Sequence, residues 1–290
     1  LFGTNGANGR TGLEEGFDCF TSPDLREWTG HIPAFRPPSG FWATRNFWAP
    51  EVHRYNGRFY MFASFKADRR YRGTQILESD AVAGPYRPLT EGPVTPPDWE
   101  CLDGTFHLDG RGDPWMVFCH EWVQVHNGAI CAMRLSPDLK RPAGRPVFLF
   151  SASEAPWGRR PEWPDEGKPH RFPTYVTDGP FLHRIAGGAL LMLWSSFGRT
   201  GYAMGVARSE TGEVAGPWRQ IPEPLWADDG GHGMIFRAFD GRLFLTFHTP
   251  NRSPDERAAF VEIEEIADTV RLKTGSPLSC AAGQSRHGAV

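Results

Sequence analysis

Four stretches of the chain share one pattern of hydrophobic and polar positions. Each begins with polar residues, continues as a short apolar run, turns at a glycine and ends in a run that is strongly apolar and aromatic. These stretches are residues 49–65, 102–122, 177–197 and 231–248. The turns fall near Gly57, Gly110, Gly187 and Gly241, and at three of them the glycine follows Asn or Asp. Apolar runs joined by such turns predict antiparallel hairpins.

A further apolar segment follows each hairpin and runs into a polar turn. These third segments are residues 74–86, 129–139, 202–218 and 258–265, and residues 16–28 follow the same pattern. Five third segments with only four complete hairpins indicate five repeats, the first of them incomplete. Helical periodicity is nearly absent. We therefore predict an all-β fold, a five-bladed β-propeller whose first blade is truncated at the N-terminus, with a β-sandwich as the alternative.

The composition agrees with this fold and excludes some classes of partner. Glycine and proline, 33 and 26 of 290 residues, are spread evenly enough to supply many turns. A net charge of −3 with interspersed signs predicts no nucleic-acid partner. No segment approaches the apolar length of a membrane span, which predicts no membrane partner. The five cysteines lack metal-type spacing and are predicted to be buried free thiols.

The chain divides into one large unit and a short tail. We predict that residues 1–272 form the propeller and that residues 273–290 form a polar tail, at the surface or poorly ordered. Residues 152–174, rich in proline and tryptophan, are predicted to form a loop over one face. Residues 1–5 resemble the end of a strand, so we expect a preceding segment that would carry any targeting signal. The location therefore stays open between secreted and cytoplasmic.

Acidic residues and one histidine begin the four hairpins. Because the first strand of each propeller blade lines the central channel, residues at its start converge on one axis. Aligned on the turns, Glu51, Asp103, Asp178 and His232 take comparable positions. Converging carboxylic acids suit glycoside hydrolysis, in which one acid protonates the departing oxygen and a second carboxylate activates water. Against this, an Asp-Gly pair is more often a turn, and His232 has the alternative of a core histidine.

Four motifs resemble those of glycoside hydrolase family 43, over residues 1 to about 272. They are Trp-Ala-Pro-Glu at 48–51, Leu-Asp-Gly at 102–104, Asp-Gly-Pro at 178–180 and Gly-His-Gly at 231–233. They resemble the family's second-, third-, fourth- and fifth-blade motifs in that order. The resemblance implies a five-bladed catalytic propeller and an inverting mechanism, with carboxyl groups roughly 6.5–9.5 Å apart.

The resemblance also implies roles for single residues. Asp178 takes the place of the general acid, where the family usually has glutamate, and Asp103 takes the place of the acid that modulates its pKa. Because Asp178 is one methylene shorter than glutamate, Glu121 is an alternative acid. Substrate contacts are expected from Glu51, Trp48, Trp122 and His232. The family's general base lies in an Asp-Pro opener of the first blade, and no residue of this sequence fills that position.

The implied substrate is a plant-type oligosaccharide or polysaccharide with arabinofuranosyl or xylosyl linkages. We expect a monomer that requires no cofactor. The resemblance also suggests a structural calcium or sodium ion in the central channel, held by His232 through water. Two alternative functions remain open: a carbohydrate-binding propeller that does not hydrolyse because the general base is missing, and a glycosidase of the exo-β-galactanase type.

Overall fold

The chain folds into five antiparallel sheets that form a five-bladed β-propeller, as predicted. The structure is a computed structural model that describes residues 1–5, 16–161, 174–252, 255–275 and 279–280. Within these residues, helix is confined to α1 (Trp122–Val125) and one 3₁₀ turn (Ala152–Glu154). Neither of these described helices is long and apolar enough to cross a membrane.

The first three sheets follow one another along the chain. The first contains β1 (Phe2–Asn5), β2 (Gly16–Thr21) and β3 (Thr29–Phe35). The second contains β4 (Arg45–Tyr55), β5 (Arg58–Ala67), β6 (Arg70–Ser79) and β7 (Arg87–Pro88). The third contains β8 (Cys101–Leu108), β9 (Pro114–His120), β10 (Ala129–Arg134) and β11 (Val147–Ser151).

The last two sheets repeat the arrangement. The fourth contains β12 (Asp178–Arg184), β13 (Leu190–Phe197), β14 (Tyr202–Ser209) and β15 (Trp218–Gln220). The fifth contains β16 (Gly231–Arg237), β17 (Leu243–Thr249), β18 (Arg257–Ile266), β19 (Thr269–Leu272) and β20 (Ser279–Cys280). Strands that are neighbours in sequence pair with each other from β1 to β3, β4 to β7, β8 to β11, β12 to β15 and β16 to β19, so each of these sets is a local meander.

The sheets differ in the number of strands that the structure describes. In the last four sheets the innermost strands are β4, β8, β12 and β16, each formed by a predicted hairpin opener. The described part of the first sheet has three strands and no counterpart of this innermost strand. In the predicted tail, β20 pairs with β18 although its composition gave no strand signal. The rest of the tail beyond residue 275 lies outside the described residues.

Hydrophobic side chains fill the layers between neighbouring sheets. Between the first and second sheets, the rings of Phe17, Phe35 and Phe65 are fully buried and lie 5.8 to 5.9 Å apart. Burial of one such side chain stabilises the fold by about 1.5–3 kcal/mol. Trp28 stacks on Phe260 at 5.4 Å and so joins the first sheet to the fifth. The propeller is therefore held together by contacts between sheets as well as within them.

The described part of the proline- and tryptophan-rich insert enters the core. Trp157 is buried and its ring lies 4.8 Å from that of Trp194, between the third and fourth sheets. A side chain on Gly205 would overlap the indole of Trp157, so this approach needs a glycine in β14. Residues 162–173, on which the rest of the predicted surface loop falls, lie outside the described residues.

Two of the four predicted turn positions are refined, and the prediction for the cysteines is confirmed where their side chains are described. The left-handed turn residues are Gly57 and Gly241 where predicted, but Gly112 and Gly188 in place of their neighbours Gly110 and Gly187. The cysteines whose side chains are described are buried free thiols, as predicted, and they are Cys19, Cys101, Cys119 and Cys131.

Candidate active site

The four inner strands share a bulge at their beginning. In each, the pairing with the second strand of its sheet shifts register at one residue with a left-handed backbone. These residues are Ala49, Asp103, Gly179 and His232, with φ of 49°, 55°, 49° and 55°. Bulges re-aim side chains and are frequent beside active sites. The bulges therefore define which residues of the four blades are equivalent.

This equivalence corrects the alignment made from the turns. Asp103 and His232 occupy the bulge itself, as that alignment assumed. Asp178 precedes its bulge residue by one position, and Glu51 follows its own by two. The predicted common register of the four residues is therefore wrong. Counting residues back from a turn cannot detect a bulge, because the extra residue leaves no mark in the hydrophobic pattern.

Each of the last three bulges is bonded to the preceding sheet. The amide of Asp103 donates to Ser64 Oγ at 2.9 Å, and the amide of His232 donates to Ser195 Oγ at 2.8 Å. The amide of Gly179 donates instead to the carboxylate oxygen Oδ2 of Asp103 at 3.0 Å. Buried backbone donors need such partners, and a bulge removes them from the strand ladder.

The bulge amide of Gly179 bonds to the Asp103 carboxylate, whereas the other two bulge amides bond to a serine hydroxyl. Ser64 and Ser195 face the residue that precedes the bulge in their own sheets, and Cys119 holds the same position in the third sheet. A thiol is a weak acceptor. The Asp103 carboxylate supplies the acceptor that Gly179 needs, which fixes this side chain beside the start of β12.

Asp178 lies next to this carboxylate, at the beginning of β12. It is half-buried, and its Oδ2 accepts a hydrogen bond from the Tyr202 hydroxyl at 2.9 Å. Burial, followed by the charge of Asp103, raises the pKa of Asp178 to about 7, although His232 opposes the rise. Like charges that lie close together cannot both ionise freely. Asp178 therefore keeps its proton to a higher pH than an ordinary aspartate.

Asp103 and His232 complete the immediate surroundings of Asp178. Burial also raises the pKa of Asp103 to about 7, while the Gly179 amide favours its charged form. The Nδ1 atom of His232 lies 3.7 Å from Asp103 Oδ2. Burial lowers the pKa of His232, while the charges of Asp178 and Glu51 oppose this. The structure thus brings Asp103, Asp178 and His232 together from three sheets.

Glu51 lies further along the channel wall. Its Oε1 accepts a hydrogen bond from Thr105 Oγ1, and the same atom contacts His53 Nε2. Thr105 holds in β8 the position that Glu51 holds in β4. The charge of Glu51 acts on Asp103 and raises its pKa. Glu51 is therefore part of the polar lining around the carboxyl pair.

The inner strands carry three further histidines, and two of them contact a carboxylate. His53 contacts Glu51, and His183 Nε2 lies 2.9 Å from Glu265 Oε1. His107 Nε2 has no hydrogen-bond partner among the described residues, and burial lowers the pKa of this ring to about 4.

Glu121, the alternative acid, is engaged elsewhere. It is buried and ion-paired with Arg72, whose guanidinium lies 4.5 Å from the centre of the Trp48 ring. Burial raises the pKa of Glu121, and Arg72 opposes this. The pair supports Trp48 from beneath through a cation–π contact. Trp122 follows Glu121 directly and begins α1.

Sequence reasoning missed Tyr202, Ser195 and Arg72. Each acts on a residue from another strand or sheet, and no motif marks them. Tyr202 opens a strand that is otherwise made mainly of small and aliphatic residues, and this contrast is the one signal that the sequence offers.

The structure offers no direct ligand set for a metal ion. Among the described residues, no three His, Cys, Asp or Glu side chains converge as they would around one. A calcium or sodium ion held by His232 through water stays a prediction.

The sequence profile of glycosyl hydrolases family 43 matches residues 6–268. The chain belongs to this family. The structure of an endo-arabinase from Bacteroides thetaiotaomicron VPI-5482 matches with a TM-score of 0.83 and 41% identity, over 92% of this chain and 90% of that one. These findings confirm the family and the class of glycoside hydrolase that the motifs predicted.

Two further comparisons are more distant. The extracellular endo-α-(1→5)-L-arabinanase 1 of Bacillus subtilis (strain 168) is 25% identical over 158 residues, which are 50% of this chain. That match spans about half, 46%, of the relative's length. An endo-1,4-β-xylanase structure from Bacteroides thetaiotaomicron VPI-5482 has a TM-score of 0.73 and 21% identity, over 97% of this chain and 96% of that one. This last likeness shows the fold alone.

Proposed function

We propose that this family 43 protein hydrolyses α-L-arabinofuranosyl linkages in arabinan-type oligosaccharides by inversion, with Asp178 as the proton donor. The observation that carries the proposal is the half-buried Asp178 beside the buried Asp103, both with a pKa raised to about 7. A donor with a pKa near the working pH is protonated often enough to act and still acidic enough to give the proton away.

In the proposed reaction Asp178 protonates the glycosidic oxygen as the bond to the anomeric carbon breaks. A water molecule attacks that carbon from the opposite face and gives its proton to the general base that the family resemblance places in the first blade. Asp103 does not transfer a proton. Its negative charge favours the protonated form of Asp178, so that Asp178 still carries its proton when the substrate binds. Trp48, backed by Arg72, offers an aromatic surface at the start of the second blade for a sugar ring. Glu121 is less suited to be the donor, because its carboxylate is buried and paired with Arg72.

The choice of an arabinofuranosyl substrate rests on the relatives. The structure that is 41% identical is an endo-arabinase, and the Bacillus subtilis relative is an endo-α-(1→5)-L-arabinanase. Xylosyl linkages are the second choice, and a galactan belongs in the same panel. The test is product release from linear arabinan, xylan and galactan oligosaccharides, with the anomeric form of the first product followed by proton NMR. Release from xylan alone, or a product with retained configuration, would contradict the proposal.

A carbohydrate-binding propeller without hydrolysis is the second candidate function. The family resemblance places the general base in the innermost strand of the first sheet, and the described part of that sheet has no such strand. Arabino-oligosaccharide binding measured by calorimetry, without release of reducing sugar, would favour this candidate.

Azide distinguishes an incomplete site from an inactive one. Azide is a small anion that needs no base to attack the anomeric carbon, so it replaces the activated water. Formation of arabinosyl azide by the unchanged chain, and a loss of about 10²- to 10⁴-fold in Asp178→Asn, would show that the acid half of the site works. Equal azide reactions in both proteins would remove Asp178 from the donor role.

A further inference from the structure

The hydroxyl of Tyr202 is the hydrogen-bond partner that the described residues give the Asp178 carboxyl. It donates to Oδ2 at 2.9 Å, and Oδ1 has no hydrogen-bond partner among those residues. Tyr202 is 3% exposed and stands at the start of β14, the third strand of the same sheet. Its ring stacks on His248 at 5.6 Å with an angle of 22° between the planes. The tyrosine is therefore held firmly on its side of the acid.

The Tyr202 hydroxyl is the donor in this hydrogen bond and Asp178 Oδ2 is the acceptor. Ser195 Oγ, which lies close to the edge of the Tyr202 ring, accepts a separate hydrogen bond from the backbone amide of His232 at 2.8 Å. Burial also raises the pKa of Tyr202, so the hydroxyl stays protonated.

A glycine makes room for this arrangement. A side chain on Gly231, next to His232, would lie 2.6 Å from a ring carbon of Tyr202 and 2.7 Å from Ser195 Oγ. Carbon atoms at van der Waals contact are about 3.5–4.0 Å apart. Tyr202 and Ser195 therefore reach their positions because residue 231 has no side chain.

We propose that Tyr202 is the positioning residue of the proton donor: it binds Oδ2 of Asp178 and so reserves Oδ1 for the proton that goes to the substrate. The inference rests on the proposed role of Asp178 as the acid. An aspartate is shorter than the glutamate usual at this place in the family, and a bond from the side of β14 fixes a side chain that cannot extend further. Tyr202 acts through Asp178, and the proposal does not include a contact between Tyr202 and the sugar.

Other charged and titratable groups also face Asp178, and the test has to separate them from Tyr202. Asp103 comes from β8, Cys119 from β9, His232 from β16 and Glu121 from the segment after β9. None of these is altered by Tyr202→Phe, which removes one hydroxyl and keeps the ring on His248.

The first measurement compares two leaving groups. We expect Tyr202→Phe to lower kcat on arabino-oligosaccharides by roughly 10- to 100-fold with little change in KM, and to lower it much less on an aryl arabinofuranoside whose phenol leaves without a proton. Tyr86→Phe is the matched control, because it removes a buried hydroxyl that donates to the Val82 carbonyl at 2.7 Å in another part of the molecule. Equal losses on both substrates would mean that Tyr202 is merely structural and would overturn the proposal.

The second measurement does not need catalysis. Carbon-13 NMR of labelled aspartate, assigned with Asp178→Asn, follows the titration of the Asp178 carboxyl. Because a donor to the carboxylate favours the charged form, the pKa of Asp178 should rise in Tyr202→Phe and stay unchanged in Tyr86→Phe. An unchanged titration in Tyr202→Phe would overturn the proposal. A shifted titration in a protein without hydrolysis would leave the positioning role standing and reject the proposed function.

A second variant covers the case in which Tyr202→Phe does not fold. Gly231→Ala keeps the hydroxyl but pushes the ring away, so it should shift the Asp178 titration in the same direction. If Gly231→Ala folds and leaves the titration of Asp178 unchanged, the hydrogen bond from Tyr202 does not position Asp178, and the proposal is overturned.

Discussion

The acidity of Asp178 can be tested by removing the charge beside it. Asp103→Asn suits this purpose, because asparagine tolerates the left-handed backbone at φ 55° and its amide oxygen can still accept the hydrogen bond from Gly179. The change therefore removes a charge while it keeps the local geometry. Asp240→Asn, in the exposed turn between β16 and β17, is a matched control.

The size of the effect follows from the position of Asp178. Its pKa rises from the ordinary 3.8 to about 7, and burial is the larger cause, with the charge of Asp103 second. Burial remains in Asp103→Asn, so the pKa should fall by only part of that rise, roughly 1 to 2 pH units. Each such unit corresponds to about 1.4 kcal/mol between the two protonation states.

The assay is the pH dependence of kcat/KM on an arabino-oligosaccharide between pH 4.5 and 9. In the unchanged protein the rate should decline above about pH 7, as Asp178 loses its proton. In Asp103→Asn the decline should begin roughly 1 to 2 pH units lower, so that the loss is at most about twofold at pH 5 and about 5- to 50-fold at pH 7. An alkaline limb that stays in place, or that moves equally in Asp240→Asn, would refute the assignment of Asp103.

Two further predictions concern the stability of the fold. Gly205→Ala should lower the free energy of unfolding by about 1–3 kcal/mol, because the new methyl group overlaps the Trp157 indole; urea unfolding measures this, and an unchanged midpoint would contradict the packing described. His107 is harder to protonate in the folded protein, with a pKa of about 4, than in the unfolded chain, where it is near 6.5. The unfolded state therefore binds more protons between these values, and stability should fall as the pH drops from about 6.5 to 4, by at most about 3 kcal/mol. His107→Gln should remove this part of the pH dependence in urea titrations at pH 4.5 and 7, and equal slopes in the two proteins would argue against it.

The sheets of the propeller could be predicted from the sequence, because each hairpin joins strands that are adjacent along the chain. The residue types of Asn56-Gly57 and Asp240-Gly241 are enough to predict their turns, and within the first four strands of each sheet, neighbours in sequence pair with each other. The presence of Asp103 and Asp178 at the starts of inner strands was predictable for the same reason.

What the sequence concealed depends on contacts between sheets. The bulges shift Asp178 and Glu51 out of a common register, and no local pattern reports a bulge. Arg72 in the second sheet forms an ion pair with Glu121, which follows β9 of the third sheet. Trp157 packs on Trp194 in a core that the third and fourth sheets form together. Pairings of this kind are decided by the assembled fold, so they become visible only in coordinates.

The Asp103 carboxylate that accepts the hydrogen bond from the Gly179 amide has two effects. Its charge raises the pKa of Asp178, and its Oδ2 atom links the third sheet to the fourth. A substitution of Asp103 made to change the working pH also weakens the contact between the third and fourth sheets, unless the new side chain can accept the hydrogen bond from the Gly179 amide. Asparagine meets that condition and alanine does not, so the two variants measure how much of the residue serves the reaction and how much serves the architecture.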